Sequence, residues 1–367
     1  IMTTMAIDNK EKEVLNVPPL RFPEFTGEWQ CKAIEKVAPL QRGFDLPTQN
    51  LVEGIYPVIY SNGILQHHDK YKCEAPGLIT GRSGTIGKFT YIDSGFYWPH
   101  NTSLWVTDFC GNCPKFIYYL YQTVHIEQFS TGSGVPTLNR NDVHRYKTSV
   151  PTAIVEQEKI AKFLSILDER IVTQNKIIED LNKLKSAISE CIFNSIKGDV
   201  VMLSEICDIV KGKQINGEYL SESGEYYVMN GGTEPSGYYS EYNVKANTIS
   251  ISEGGNSCGY VQFNNFPFWS GGHCYSLQNI ADIVDNLYLY HYLKSKEEAI
   301  MKLRIGSGLP NIQKKDLAMF KTIVPLFEQQ ITISTFLSSL ERKAEIEERI
   351  LNVMQKQKLY LLQQMFI

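Results

Sequence analysis

Eight cysteines and seven histidines are the residues of this chain best suited to metal binding or covalent catalysis, and their spacing argues against both uses. His67, His68, His100, His125, His144, His273 and His291 form no HExxH pair or other metal-ligand spacing. Cys110-Gly111-Asn112-Cys113 is the one pair at CxxC spacing. It could serve as a redox couple or as half of a zinc site, but zinc needs two more ligands and none stands nearby at a comparable spacing. Two ordinary thiols flanking a turn are the simpler reading. There is no GxSxG elbow. Gly81 to Lys88 has a superficial likeness to a phosphate-binding loop, but the glycines are misplaced and Lys88 lacks the required Ser or Thr after it. The chain is therefore expected to hold no catalytic centre and no metal.

What remains is the chemistry of recognition. Three loop clusters occur twice. Ser61-Asn62-Gly63 stands against Asn230-Gly231-Gly232-Thr233, and Gly81-Arg82-Ser83-Gly84-Thr85-Ile86-Gly87-Lys88 against Ser252-Glu253-Gly254-Gly255-Asn256-Ser257. His100-Asn101-Thr102-Ser103 stands against Ser270-Gly271-Gly272-His273. Glycine lets a backbone approach a ligand closely, and Ser, Thr and Asn can contact phosphates or base edges. Arg matches the acceptor pair of guanine, and Asn matches adenine. Any one of these loops could be a plain surface turn; their joint recurrence favours a binding role. The candidates are Asn62, Arg82, Ser83, Thr85, Lys88, His100 and Asn101 in the first half, and Asn230, Thr233, Asn256, Ser257 and His273 in the second.

Two long helices must carry these loops. From Pro151 to Lys197 no further Pro or Gly intervenes, and Ile160, Leu164, Leu167, Ile171, Ile178, Leu181, Ile188 and Ile192 recur at helical spacing. Gln174 and Lys185 interrupt this seam. At about 1.5 Å per residue such a helix spans roughly 60 Å, and its apolar stripe needs a partner. The partner is in the same chain, from Pro325 to Ile367, with Ile333, Phe336, Leu337, Leu340, Ala344, Leu351, Met354, Leu361 and Met365. The two helix starts match, Phe163-Leu164-Ser165-Ile166-Leu167 against Phe336-Leu337-Ser338-Ser339-Leu340 and Glu156-Gln157 against Glu328-Gln329. Upstream, Gly132-Ser133-Gly134-Val135-Pro136 matches Gly306-Ser307-Gly308-Leu309-Pro310. Three matches in one order argue for duplication.

The expected organisation is a flexible lead-in (1–19), a globular domain (20–150), a long helix (151–197), a second domain (198–324) and a second long helix (325–367). Within the first domain the pattern predicts a helix over Trp29–Val37, strands at Tyr56–Tyr60 and Gly77–Thr80, and a helix over Phe116–Phe129. In the second it predicts strands at Tyr226–Met229 and Thr248–Ser252 and a helix over Ile283–Leu293. An aromatic strand over Phe263–Trp269 is expected to correspond to Tyr91–Trp98. Ser133, Gly134, Ser307 and Gly308 could approach DNA, but the preferred expectation is that they hold the junction between each domain and its helix.

Bulk properties agree. A chain of 367 residues suffices for two domains with their own cores. Hydrophobic content of 43% and charge of 21% suit a soluble globular protein, and no run of about 20 apolar residues suggests a membrane span. The stretch through Asn16 carries Asp8, Glu11 and Glu13 and lacks the apolar core of a secretory signal. Scattered cysteines suit reduced thiols in a cytoplasm. A net charge of −4 argues against a uniformly basic nucleic-acid binder but leaves room for local basic faces.

The two Gly-Ser-Gly-x-Pro loops, the two matched helix starts and the Arg21-Phe22-Pro23-Glu24-Phe25 to Trp29 opening together make the chain resemble the specificity subunit of a type I restriction–modification system. The resemblance covers nearly the whole chain. It implies an α+β protein in which two similar target recognition domains are separated by two long helices packed as an antiparallel coiled coil. It implies a non-catalytic reader of double-stranded DNA, each domain taking one half of a split, asymmetric site. The helices would act as spacer and dock two methyltransferase subunits that bring S-adenosylmethionine and methylate adenine; this chain would bind no cofactor. Two motor-nuclease subunits can join such a complex for cleavage. The near-neutral to acidic second domain departs from the expectation for a DNA binder and suggests that the isolated chain binds DNA poorly. The rival readings are a stand-alone two-domain nucleic-acid binder whose coil serves dimerisation, an enzyme using Cys110 and Cys113, and a coiled-coil scaffold.

Overall fold

The computed structural model describes residues 16–132, 134–306, 308 and 310–367. The chain forms two compact units, the first built from residues up to 173 together with 351–367, the second from 174–350.

The first unit opens with β1 (Gln30–Ala33), β2 (Leu40–Arg42), β3 (Tyr56–Tyr60), β4 (Gly63–His68) and β5 (Cys73–Glu74). It continues with β6 (Gly77–Gly81), β7 (Phe89–Ile92), β8 (Phe96–Pro99), β9 (Ser103–Val106) and α1 (Pro114–Thr123). Then come β10 (Ser130–Thr131), β11 (Thr137–Leu138), α2 (Arg140–Arg145), β12 (Lys147–Val150) and the start of α3 (Ile154–Ser195). The second unit holds β13 (Asp199–Met202), α4 (Leu203–Ile206), β14 (Asp208–Lys211), β15 (Tyr226–Met229), β16 (Tyr238–Tyr239) and β17 (Thr248–Ser252). It ends with β18 (Val261–Asn264), β19 (Trp269–Ser270), β20 (Cys274–Gln278), α5 (Asn286–Ser295), α6 (Glu297–Met301), α7 (Lys314–Ala318), β21 (Lys321–Val324) and the start of α8 (Phe327–Met365).

Three sheet arrangements repeat, while β5 and the ribbon β10–β11 belong to the first unit alone. An antiparallel sheet ordered β2-β9-β6-β7 in the first unit is matched by β14-β20-β17-β18 in the second. The parallel pair β3–β8, flanked by β4, is matched by β15–β19 flanked by β16. The closing ribbon β1–β12 is matched by β13–β21. All five residues of β6 and all five of β17 are buried, as their Ile, Leu and small residues require for a strand covered on both faces.

Each unit packs its sheet against a short helix and against both long helices. In the first, Trp29, Phe116, Leu120, Ile160 and Leu164 share a core with Leu361, Leu362, Met365 and Phe366. The Phe366 ring stacks on Phe116 at 5.3 Å and meets Trp29 edge-on at 6.4 Å. In the second, Phe193 near the end of α3 plays this part, 5.9 Å from Tyr288 and 5.5 Å from Tyr292, in a core that includes Leu337. Each long helix thus begins in the core of one unit and ends in the core of the other.

Within each unit the helix segments run antiparallel. In the second, Gln174 pairs with Glu347 and Lys185 with Glu341, so partner numbers fall as α3 advances. In the first, Asp168 pairs with Lys358 at 2.7 Å while Ile160 and Leu164 reach the later Leu361 and Met365. Gln174, which breaks the apolar seam, is 7% exposed and donates from Nε2 to the Glu347 carbonyl (3.0 Å) and carboxylate (2.6 Å). A polar side chain satisfied inside a helix pair fixes register.

Several expectations are corrected. Trp29–Val37 is not a helix: β1 occupies Gln30–Ala33 and only Ile34–Lys36 turns helically, because the backbone pairs with β12. The expected helix over Phe116–Phe129 starts at Pro114 and stops at Thr123, since His125 takes a left-handed φ of 51° before a 3-10 turn. The helix expected from Ile283 starts at Asn286, capped by the Asp285 carboxylate on the Tyr288 amide at 2.7 Å. Phe263–Trp269 is two strands, β18 and β19, separated by a turn, as are β7 and β8 in the first unit. Of the lead-in, residues 1–15 lie outside the described residues; Asn16 is tied to Trp29 and Ser149 by hydrogen bonds of 2.6 and 3.0 Å.

The repeat register also changes. The Gln157 side-chain carbonyl accepts the Cys113 amide at 2.8 Å and its Nε2 donates to the Pro151 carbonyl at 2.9 Å. Gln330 makes the same pair of bonds, with the Asp285 amide and the Pro325 carbonyl, both at 2.8 Å. The counterpart of Gln157 is therefore Gln330, not Gln329, and Glu156 corresponds to the exposed Gln329. Buried Glu156 has a role special to the first unit, taking a two-pronged pair with Arg21 (2.7 and 2.9 Å) and the Trp29 indole N–H (3.1 Å).

Candidate nucleic-acid interface

In the first unit the three loop clusters meet at the end of the central sheet. Gly43, just after β2, lies so close to the His100 and Pro99 carbonyls that a Cβ would sit 2.2 and 2.4 Å from them. Gly81 is pressed in the same way against the Thr85 carbonyl. The His100 amide donates to the Ile59 carbonyl at 2.9 Å, and the Arg82 amide to the Thr102 carbonyl at 2.9 Å. These bonds bring Ser61-Asn62, the Arg82–Thr85 loop and the His100–Thr102 loop to one face.

The Gly-Ser-Gly-x-Pro loop joins this cluster: the Gly84 amide donates to the Pro136 carbonyl at 3.0 Å, and Leu138 N–H to the Arg82 carbonyl at 2.7 Å. The second copy does likewise, Gly255 to Pro310 at 3.0 Å and Ile312 to Glu253 at 2.8 Å. Gly134 and Gly308 are exposed beside the recognition loops, and the chain reaches each long helix only after β12 or β21, which corrects the junction role. Ser133 and Ser307, assigned the same role, lie outside the described residues.

A cleft of about 650 Å³ opens here, lined among others by Arg42, Asp45, Arg82, Asn139 and Arg140. Three guanidinium groups face one carboxylate, so the cleft favours an anion or the acceptor edge of a base. Arg42 pairs with Asp45 at 3.0 Å, both well exposed, and Asn101 donates to the same carboxylate. The His100 ring lies tilted against Tyr60, centroids 4.2 Å apart, and its Nδ1 lies 2.9 Å from the Thr102 hydroxyl. Burial lowers its pKa from the ordinary value. Asn62 and Thr85 are exposed and Ser83 half-buried. Lys88 is exposed but does not line the cleft.

The second unit uses the same backbone frame. Gly212 lies against the Gly271 and Ser270 carbonyls as Gly43 does against His100 and Pro99. The Gly271 amide donates to Met229 at 2.8 Å, and Glu253 N–H to the His273 carbonyl at 2.9 Å. By these bonds Gly271 takes the place of His100, His273 that of Thr102, and Asn230 that of Tyr60, each one residue off the register read from the loops. Asn230 Oδ1 accepts the His273 amide at 3.2 Å, and the Ser252 hydroxyl donates to the Gly231 carbonyl at 2.6 Å. The structure thus gathers Asn230, Ser252, Glu253 and His273. Asn256 and Thr233 are exposed on the loops and Ser257 is half-buried; no side-chain bond joins them to this group.

Sequence reasoning passed over Arg42, Asp45 and Arg140 in the first unit, and Lys211 and Glu253 in the second. One signal existed: Arg42-Gly43 and Lys211-Gly212 are a repeated basic-Gly pair immediately after matching strands. Cys110 is exposed with φ 50°, and Cys113 precedes α1 with its amide held by Gln157; both are free thiols. Among the described residues no cluster of three His, Cys, Asp or Glu side chains could hold a metal ion, and no helix is long and apolar enough to cross a membrane.

Comparison with known proteins agrees with this duplicated frame. The family model described as the type I restriction modification DNA specificity domain matches residues 26–183 and again 197–356. A protein of Mycoplasma pneumoniae described as a type I specificity subunit is 33% identical over 156 residues, 42% of this chain and 41% of that protein. A type I specificity subunit of Mycoplasma genitalium is 23% identical over 308 residues, covering 78% of this chain and 80% of the relative. The crystal structure of a type I restriction–modification S subunit from M. genitalium superposes with a TM-score of 0.70 at 21% identity, over 96% of this chain and 99% of that one. That likeness bears on the fold.

Proposed function

The chain belongs to the type I restriction–modification DNA specificity family, with two copies of its domain, and from that membership we propose that it is the DNA-recognition subunit of a type I complex. Each unit reads one half of a split, asymmetric site in double-stranded DNA. The observation that carries this reading is the doubled loop cluster: one backbone frame, repeated bond for bond, bearing unlike side chains. A shared frame with different side chains is what two readers of two different half-sites require.

The subunit is not itself an enzyme. Two methyltransferase subunits dock on its long helices, where Phe163, Ile166, Val172, Phe336, Ile346 and Val353 are exposed apolar side chains. Those partners bring S-adenosylmethionine, and two motor-nuclease subunits complete the complex for cleavage. A cytoplasmic location suits its DNA target and its free thiols. The stand-alone binder gains no support from family membership. With ten Lys and Arg against fourteen Asp and Glu over residues 198–324, the isolated chain is expected to bind DNA weakly, the partners supplying phosphate contacts.

The test is to map methylated bases in DNA from cells making this chain with its neighbouring methyltransferase, and from cells lacking the chain. A split adenine-methylated motif that vanishes without the chain supports the reading; unchanged methylation overturns it.

A further inference from the structure

Arg82 and Glu253 occupy one place in the repeat. Each amide donates to the matching loop carbonyl at 2.9 Å, Thr102 or His273, and each carbonyl accepts from the amide two residues past the proline of the Gly-Ser-Gly-x-Pro loop, Leu138 or Ile312. With the backbone alike, only the side chains differ, and they carry opposite charge. Arg82 lines its cleft beside Arg42 and Arg140 and offers donors.

Glu253 is 8% exposed and its oxygens are used unequally. Oε1 accepts from Lys211 Nζ at 2.7 Å and lies 3.1 Å from the Tyr275 hydroxyl. Oε2 is buried with no hydrogen-bond partner. His273 Nδ1 stands 4.0 Å from the carboxylate, too far to bond, on a side chain that is 62% exposed. An orphaned buried carboxylate oxygen calls for a donor, and the side chain standing beside it, His273, is itself exposed.

We infer that Glu253 determines specificity in the second unit. Its Oε2 accepts a hydrogen bond from the exocyclic amino group of a base, cytosine N4 or adenine N6, in the major groove. The two units then read with opposite polarity, donors in the first and an acceptor in the second. Carboxylates are suited to cytosine N4, as arginine is to guanine.

This inference rests on the specificity reading above, and its test separates the two. The complex with the partner methyltransferase is made with the wild-type chain, Arg82→Gln, Glu253→Gln and Lys211→Gln, and each methylated motif is mapped. Arg82→Gln identifies the first unit's half-site. In the other half, the wild type requires cytosine or adenine at one position, the motif itself telling which. Glu253→Gln lowers methylation of the wild-type sequence about tenfold to a hundredfold against sequences altered at that position, leaving the first half unchanged. Lys211→Gln, which removes the carboxylate's ion-pair partner but not the acceptor, keeps the base chosen. Unaltered base choice under Glu253→Gln, equal loss across the whole half-site, or the same relaxation under Lys211→Gln overturns the inference. If Glu253→Gln does not fold, Glu253→Asp retains a carboxylate acceptor and must keep the same base at lower efficiency; a changed base overturns it. A wild-type complex that methylates no split motif fails the specificity reading itself.

Discussion

Gln157 and Gln330 do the same work in the two units: each side-chain carbonyl holds the amide of the residue that caps a domain helix, Cys113 or Asp285, and each side-chain amide holds the proline carbonyl that precedes a long helix. Each glutamine thus locks a recognition domain to its helix through two bonds at once. Gln157 is 2% exposed and Gln330 fully buried, so truncation strands backbone groups away from water. Gln330→Ala is expected to destabilise the protein by about 1–3 kcal/mol, and Gln157→Ala by a similar amount. Gln329→Ala, on the exposed face, should change stability by less than about 0.5 kcal/mol. Urea denaturation of the three variants checks this; equal effects at positions 329 and 330 would contradict the register.

Arg82 is expected to contact a base. Arg82→Ala should cost about 1–3 kcal/mol at one base pair and leave the other positions of the site unchanged. The measurement is a comparison of methylation rates on sites altered one position at a time. A uniform loss on every sequence would make Arg82 a phosphate contact instead.

His291 introduces an acid sensitivity. Burial is the main cause that lowers its pKa from 6.5 to about 4, while its Nε2 stays 2.9 Å from the Ser338 hydroxyl. As pH falls below 6.5 the unfolded chain takes up a proton that the folded one refuses until about pH 4. Stability is therefore lost across that window, on the order of 3 kcal/mol at its end. His291→Gln can keep the bond to Ser338 and has nothing to titrate. Its stability should fall less than the wild type's between pH 7 and pH 4.5, since the carboxylates contribute alike to both. Parallel denaturation profiles would rule this out.

Phe193 and Phe366 close the cores at the far ends of the two long helices. With exposures of 1% and 4%, either Phe→Ala change should cost about 3–5 kcal/mol. Hydrogen exchange shows where. Phe366→Ala should loosen amides near Trp29 and Phe116, and Phe193→Ala those near Tyr288, although in each case the sequence neighbours of the mutation belong to a different helix segment. Loosening confined to the mutated helix would contradict the packing.

The parts of this fold that were legible are those with local or strongly periodic signals. Helices α3 and α8 show their apolar spacing over about forty residues, and β3, β6, β15 and β17 are bounded by glycine and asparagine. The ribbon strand β1 was not legible, because Trp29, Ile34 and Val37 mimic helical spacing and its partner β12 lies more than a hundred residues away. The site was legible as a set of loops but not in register. Glycine-rich loops carry no periodicity, so a shift of one residue between Thr102 and His273, or between Tyr60 and Asn230, leaves no trace until backbone bonds are seen. Glu253 was hidden for the same reason: what sets it apart is an unused oxygen, and that depends on Lys211 and Tyr275, which approach from other strands.

The exchange of helix ends also dictates an order of assembly during synthesis. Residues 174–350 are one uninterrupted stretch, so the second unit has all its parts once the ribosome has passed Ile350. The first unit, though its sheet is translated earlier, still lacks Leu361, Leu362, Met365 and Phe366 from its core. The half made first is therefore finished last: a chain cut before Leu361 holds every residue of the second unit and lacks part of the first unit's core.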